Sequence, residues 1–216
     1  STSILITQHS LLQATASVQP VLCNGLNNGI ALVVAISGGT PAYNYSWNNG
    51  QSGIVASNLS AGTYSCTVTD NMGCSTVASI TVTQPPSLLI NTTSQPALCN
   101  GLNNGSASVF ANGGMANYVY LWSNNQSGVS ATGLAAGNYS VTVNDANGCS
   151  VLTVVTITQP SVVVAGISSQ SNVSCNGGNN GSITAIATGG TPGYTYLWNN
   201  NSTLVTANNL TANTGT

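Results

Sequence analysis

The 216-residue chain has no lysine, arginine or glutamate; its acids are Asp70 and Asp145, its histidine is His9, and its formal net charge is −2. With no cations to release counterions from phosphates, nucleic-acid binding is excluded, and so is adhesion to anionic lipid. One histidine and two separated aspartates supply no general acid–base pair and no Ser-His-Asp site, so no catalytic residue and no cofactor are expected.

The chain is 42% apolar, too rich in strand-forming residues for a disordered tract, and it has no apolar run long enough to insert in a membrane. It repeats. Cys23, Cys99 and Cys175 recur at spacings of 76, and Trp47, Trp122 and Trp198 at 75 and 76. Such a period is too long for a solenoid repeat and suits a small independent β domain strung in tandem.

In chain order, residues 1–9 read as the last strand of a preceding repeat, because ILITQH matches the later ITVTQP and VTITQP. Residues 10–85 form the first repeat, 86–160 the second, and 161–216 a third that is expected to stop before its last two strands. Within the first repeat, alternation and turn signals predict strands over 30–37, 43–48, 53–59, 63–70 and 75–83, and 87–93 opens the next repeat. About six short strands per repeat and no helical periodicity predict an all-β fold: tandem immunoglobulin-like Greek-key β-sandwiches of about 75 residues.

Alternation assigns the faces. Tyr64, Cys66 and Val68 share one side of their strand, as do Tyr139, Val141 and Val143 in the second repeat. These sides are expected to be core, anchored by Trp47, Trp122 and Trp198, each on a middle strand. The competing role for the tryptophans is a stacking platform for sugar rings. Cys66 stands where the second repeat has Val141 and reads as a buried thiol acting as a small hydrophobe. The opposite face of the Trp strand carries Val119, Leu121 and Leu197, an apolar patch that fits lateral packing between chains; sheet propensity or cover by a loop would also place them there.

Asp70 and Asp145 each open an Asp-x-x-Gly turn, where a carboxylate accepts backbone N–H groups. Calcium is the functional alternative, but one carboxylate per repeat is few for a hard cation, and no Cys-x-x-Cys pair supports zinc, so no metal is expected. Cys23 to Cys74 and Cys99 to Cys149 are separated by 51 and 50 residues. Disulfides Cys23–Cys74 and Cys99–Cys149 are therefore expected within repeats, in an oxidising, extracellular setting, with Cys66 and Cys175 left unpaired in this stretch.

The words SCNGGNNGSITAIATGGTPGYTYLWNN, LSAGTYSCTVTDNMGC and VTITQP closely resemble the SprB-type repeat of giant cell-surface adhesins of gliding bacteria. The likeness covers essentially the whole chain; Gly113–Ala116 (Gly-Gly-Met-Ala in place of Gly-Gly-Thr-Pro) and Cys66 depart from the pattern. It implies very long proteins secreted by the type IX route, forming surface filaments for gliding, attachment or capture of other cells. It defines no ligand site. The expected function is thus a structural shaft whose partners are copies of itself in a multi-chain homo-oligomeric fibre, with cell-surface glycans met through other regions. A carbohydrate-binding module array and a surface-layer protein are the alternatives.

Overall fold

The computed structural model describes residues 8–212. Most of the strand expected over 1–9 lies outside the described residues. In the first repeat six strands form: β1 (Gln13–Gln19), β2 (Gly29–Ser37), β3 (Asn44–Trp47), β4 (Val55–Leu59), β5 (Gly62–Thr69) and β6 (Ser75–Val82). They make two antiparallel sheets, ordered β1-β2-β4 and β3-β5-β6. The chain changes sheet between β2 and β3, between β3 and β4, and between β4 and β5, which makes this a Greek-key sandwich of immunoglobulin type.

The inward faces follow the alternation. Ala31 and Val33 from β2, Trp47 from β3, Ala56 and Leu59 from β4, Cys66 and Val68 from β5 and Val82 from β6 form one buried cluster. Trp47 pairs directly with Cys66 across β3 and β5. Its indole N–H donates to the Gly53 carbonyl at 3.0 Å, so the ring is buried without an unsatisfied donor. Tyr64 lies two residues before Cys66, and its hydroxyl donates back to the Ser60 carbonyl, the tyrosine corner of immunoglobulin-like sandwiches. Burial pushes the Cys66 thiol pKa up, as befits a side chain that serves as a hydrophobe.

The second repeat has the same strands: β7 (Leu89–Gln95), β8 (Gly105–Asn112), β9 (Val119–Trp122), β10 (Ser130–Leu134), β11 (Gly137–Asn144) and β12 (Ser150–Ile157), in sheets ordered β7-β8-β10 and β9-β11-β12. Val109, Trp122, Ala131, Leu134, Val141 and Val143 are buried at the positions equivalent to the first core. The Trp122 indole donates to Gly128 and the Tyr139 hydroxyl to Ala135. By contact density the chain divides into two compact bodies. One gathers the chain up to Asn91 with Phe110–Leu121 and Thr142–Thr153; the other gathers Thr92–Val109, Trp122–Val141 and the chain from Val154 onward.

In the third repeat β13 (Val164–Ser171), β14 (Gly181–Thr188) and β15 (Thr206–Leu210) form one sheet in the order β13-β14-β15. Trp198 differs from the expectation. It is half-buried, not a closed core anchor, and it lines an apolar cavity of about 490 Å³ with Ile167, Ile183, Ala207 and Leu210. The reason is the facing sheet: among the described residues no strand equivalent to β5 or β6 stands opposite β14. Its indole N–H still finds a carbonyl, that of Leu204 at 2.8 Å.

This contrast gives a test. Trp122→Ala should destabilise the chain by about 3–5 kcal/mol, the usual cost of emptying a buried aromatic site. Trp198→Ala should cost less than half of that. Urea titrations of the two variants check it, and equal costs would contradict the burial described.

Candidate functional site

The local chemistry of the chain concentrates where one repeat hands over to the next. Strand β6 ends at the pole where the Val21 N–H donates to the Thr83 carbonyl at 2.9 Å. The loop Cys23-Asn24-Gly25 hangs from the same pole and clasps the outgoing linker. Asn24 Nδ2 donates to the Pro85 carbonyl at 3.0 Å, and the Gly25 N–H donates to Gln84 Oε1 at 2.9 Å. Ser87 Oγ donates to Asn24 Oδ1 at 2.9 Å. Gly25 has φ +79°, a backbone state that glycine adopts without strain. Asn28 Oδ1 closes the loop by accepting the Leu22 N–H. The second repeat repeats the clasp: Asn100 Nδ2 to the Pro160 carbonyl at 3.1 Å, and the Gly101 N–H to Gln159 Oε1 at 2.8 Å.

The receiving side of the joint is the opposite pole of the next repeat. The Gly114 N–H donates to the Pro86 carbonyl at 2.9 Å. A Cβ on Gly113, which has φ +75°, would lie 2.0 Å from the Ser87 carbonyl oxygen. The Gly-Gly pair therefore lets the incoming linker lie flat on the bead. The first repeat does the same with Gly38 and Gly39 against Leu11 and Ser10.

Beside this contact sits the aspartate turn. Asp145 Oδ2 accepts the Met115 N–H at 2.9 Å, and Oδ1 accepts those of Asn147 at 2.9 Å and Cys149 at 2.8 Å. Asp70 does likewise with Thr40, Met72 and Cys74 at 2.8, 3.0 and 2.8 Å. Both carboxylates are buried and both oxygens of each are engaged by backbone. The turn-cap role is thereby accounted for without a cation, and among the described residues no cluster of His, Cys, Asp and Glu could hold a metal ion. The Thr40 N–H chiefly holds the Asp70 pKa below the ordinary carboxylate value, against burial, with help from Cys74, Met72 and His9. At Asp145 burial pushes the pKa up, but the N–H groups of Met115, Cys149, Asn147 and Gly148 outweigh it and the pKa is lowered.

Giver and receiver are joined covalently. Cys23 is bonded to Cys149, with a Cα–Cα distance of 5.7 Å and a sequence separation of 126. Asn147 Nδ2 donates to the Leu22 carbonyl at 2.7 Å alongside it. The expected pairs Cys23–Cys74 and Cys99–Cys149 are therefore not the ones present: Cys74 and Cys99 are free and exposed, as is Cys175, while Cys66 is free and buried. The cause is geometric. Cys23 and Cys74 sit at the two ends of β6, an eight-residue strand, roughly 25 Å apart at the usual rise per residue. A disulfide needs Cα atoms within about 7 Å. The clasp residues Asn24, Gln84 and Asn147 were not singled out from sequence; the signal that could have found them is the recurrence of Cys-Asn-Gly and Thr-Gln-Pro outside the strands.

Val119, Leu121 and Leu197 are 64%, 55% and 78% exposed. They lie on the outer side of the Trp segment.

Strand order, buried tryptophans and a joint built from turns define a tandem immunoglobulin-like repeat region. The SprB repeat model matches residues 15–52, 91–127 and 167–203, more than half of the chain. The chain belongs to the SprB repeat family. Such repeats belong to cell-surface proteins, and the disulfide fits an extracellular location. No curated protein matches the chain in sequence. Similar solved structures include the three N-terminal domains of the bacteriophage RB49 outer capsid protein Hoc (13% identity, TM-score 0.48, 85% of this chain and 71% of that one). Others are the eight N-terminal immunoglobulin domains of Down Syndrome Cell Adhesion Molecule (9%, 0.39, 82% and 34%) and the amphioxus IgVJ-C2 molecule (15%, 0.28, 68% and 98%).

Two measurements test the site. A carboxylate with a lowered folded pKa stabilises above its unfolded pKa, and that stabilisation is lost as pH falls through the folded value. Stability should be flat from about pH 5 to 8 and decline below about pH 4, and Asp70→Asn with Asp145→Asn should blunt the decline. In single-molecule stretching, reduction should free the chain held between Cys23 and Cys149, a sequence separation of 126, adding about 45 nm of contour at ~3.6 Å per residue. Two shorter gains would indicate pairs closed within repeats.

Proposed function

We propose that this region is the non-catalytic, load-bearing shaft of an extracellular adhesin that reaches the surface by the type IX route and assembles into filaments serving gliding, attachment or capture of other cells. The observation that carries this reading is the joint: a linker clasped by side-chain amides and bypassed by the Cys23–Cys149 bond. A flexible display linker needs none of these contacts, whereas a member that transmits tension does.

The surface supports self-association. It carries almost no charge to repel a copy, and Val119, Leu121 and Leu197 expose apolar area on one face. Copies of the chain are its partners in the fibre, and contact with glycans of a target cell belongs to other regions. The carbohydrate-module reading is less well supported, because the Trp47 and Trp122 rings are 2% and 1% exposed and offer no stacking platform. A surface-layer protein would form a two-dimensional lattice instead of filaments.

Electron microscopy of the native assembly decides between filament and lattice. The double variant Leu121→Asn, Leu197→Asn should abolish or strongly reduce lateral association in sedimentation while leaving the circular-dichroism spectrum and melting transition in place. Unchanged association would remove the lateral-packing idea and leave the shaft reading to the stretching measurement.

A further inference from the structure

The exposed thiols Cys74 and Cys99 occupy the same places in the repeat as the two cysteines that are bonded. Cys99 opens the second Cys-Asn-Gly loop as Cys23 opens the first, and Cys74 ends the first Asp-x-x-Gly-Cys turn as Cys149 ends the second. Their backbones are already in the bonding arrangement. Asn100 and Gly101 grip Gln159 and Pro160 as Asn24 and Gly25 grip Gln84 and Pro85. Cys74 and Cys149 each donate their N–H to the turn aspartate at 2.8 Å. What differs is cover. Cys23 and Cys149 are half-buried against each other, whereas Cys74 and Cys99 are exposed.

A cavity of about 370 Å³ lies between the incoming segment at Gln8–Leu12 and the turn carrying Asp70, Met72 and Cys74. The same place in the second repeat, by Leu88 and Cys149, is lined also by Cys23, Asn24 and Leu26 of the preceding loop. Leu11 and Met72 stand 78% and 66% exposed.

We propose that SprB repeats of this type are stapled in a ladder: the cysteine of each Cys-Asn-Gly loop bonds the Asp-x-x-Gly-Cys cysteine of the repeat that follows. Within the full protein Cys74 thus takes the cysteine of a Cys-Asn-Gly loop on its N-terminal side, and Cys99 that of an Asp-x-x-Gly-Cys turn on the C-terminal side of Thr216, since residues 161–216 contain no cysteine but Cys175. Cys175 pairs one repeat further on, and Cys66 takes no part. Each rung forms by thiol–disulfide exchange. Two thiols lose two protons and two electrons to an oxidant of the protein-disulfide class, one S–S bond forms, and the oxidant leaves as its dithiol. The inference stands on the joint itself and does not need the filament reading.

The test uses the full native array, alkylated without reduction and digested with pepsin at low pH, where exchange is quenched; trypsin has no site in this stretch. Linked peptides are identified by mass spectrometry. The expected links are Cys23 to Cys149 and Cys99 to a turn cysteine on the C-terminal side of Thr216, with Cys66 alkylated only after denaturation. Links Cys23–Cys74 or Cys99–Cys149 would overturn the ladder, and so would Cys74 and Cys99 found alkylated in the folded array. A reducible species of twice the chain mass would also overturn it, by assigning the thiols to bonds between chains. The variant Cys74→Ser should expose one new alkylatable thiol, in the Cys-Asn-Gly loop of the preceding repeat; a new thiol at Cys99 instead would refute the register.

Discussion

The polarity of the bead governs this molecule. Each strand of a small sandwich runs from one pole to the other, so a loop that precedes β2 and a turn that follows β5 must lie at opposite ends. The chain leaves the first repeat at the pole marked by Val21 and Thr83 and enters the second at the pole marked by Pro86 and Gly114. A linker of a few residues then brings the Cys-Asn-Gly loop of one bead to the aspartate turn of the next. The clasp, the Gly-Gly seat and the Cys23–Cys149 bond all follow from that meeting.

Neutral groups carry almost all of the polar work. Asparagine and glutamine amides, backbone N–H groups and tyrosine and indole donors replace the ion pairs of an ordinary surface. That costs little, because an exposed ion pair contributes about 0–1 kcal/mol and a satisfied neutral hydrogen bond about 0.5–1.5 kcal/mol. The consequence is a joint insensitive to salt, with Asp70 and Asp145 as its acid-labile points. Their burial is tolerated because each turn aims three N–H groups at one carboxylate.

The bead was legible from sequence because its strands are governed by alternation over neighbouring residues. Tyr64, Cys66 and Val68 face one way wherever the sandwich forms, and a tryptophan beside them is drawn inward. The aspartate turns were legible for the same local reason. The cysteine pairing was not. A spacing of about 50 residues recurs whether a bond closes within a repeat or between repeats, and only the count of strands between the cysteines tells the poles apart. Trp198 was misjudged because its burial depends on strands of the facing sheet, not on its own segment. The clasp escaped notice because Asn24 and Gln84 look like ordinary turn residues until the linker is folded back onto them.

The placement of sulfur changes what a pulled chain can do. In immunoglobulin-like sandwiches with an internal bridge, the bond joins the strands equivalent to β2 and β5 across the core. Here Cys66 occupies the β5 position alone, opposite Ala31 and Val33 of β2, and the second repeat has Val141 there. The covalent link has moved out of the bead and onto the joint. In a laddered array successive rungs overlap, and the shortest covalent path leaves one rung at Cys149 and joins another at Cys175, so that 26 residues (175 − 149) stand in for the 152 (175 − 23) of two repeats. Even with every sandwich unfolded, about five-sixths of the contour, at ~3.6 Å per residue, is withheld from extension. A bridge inside each core would protect the core and leave the linkers as the weak elements; a bridge across each joint lets the cores unfold while the covalent network limits how far the chain can lengthen.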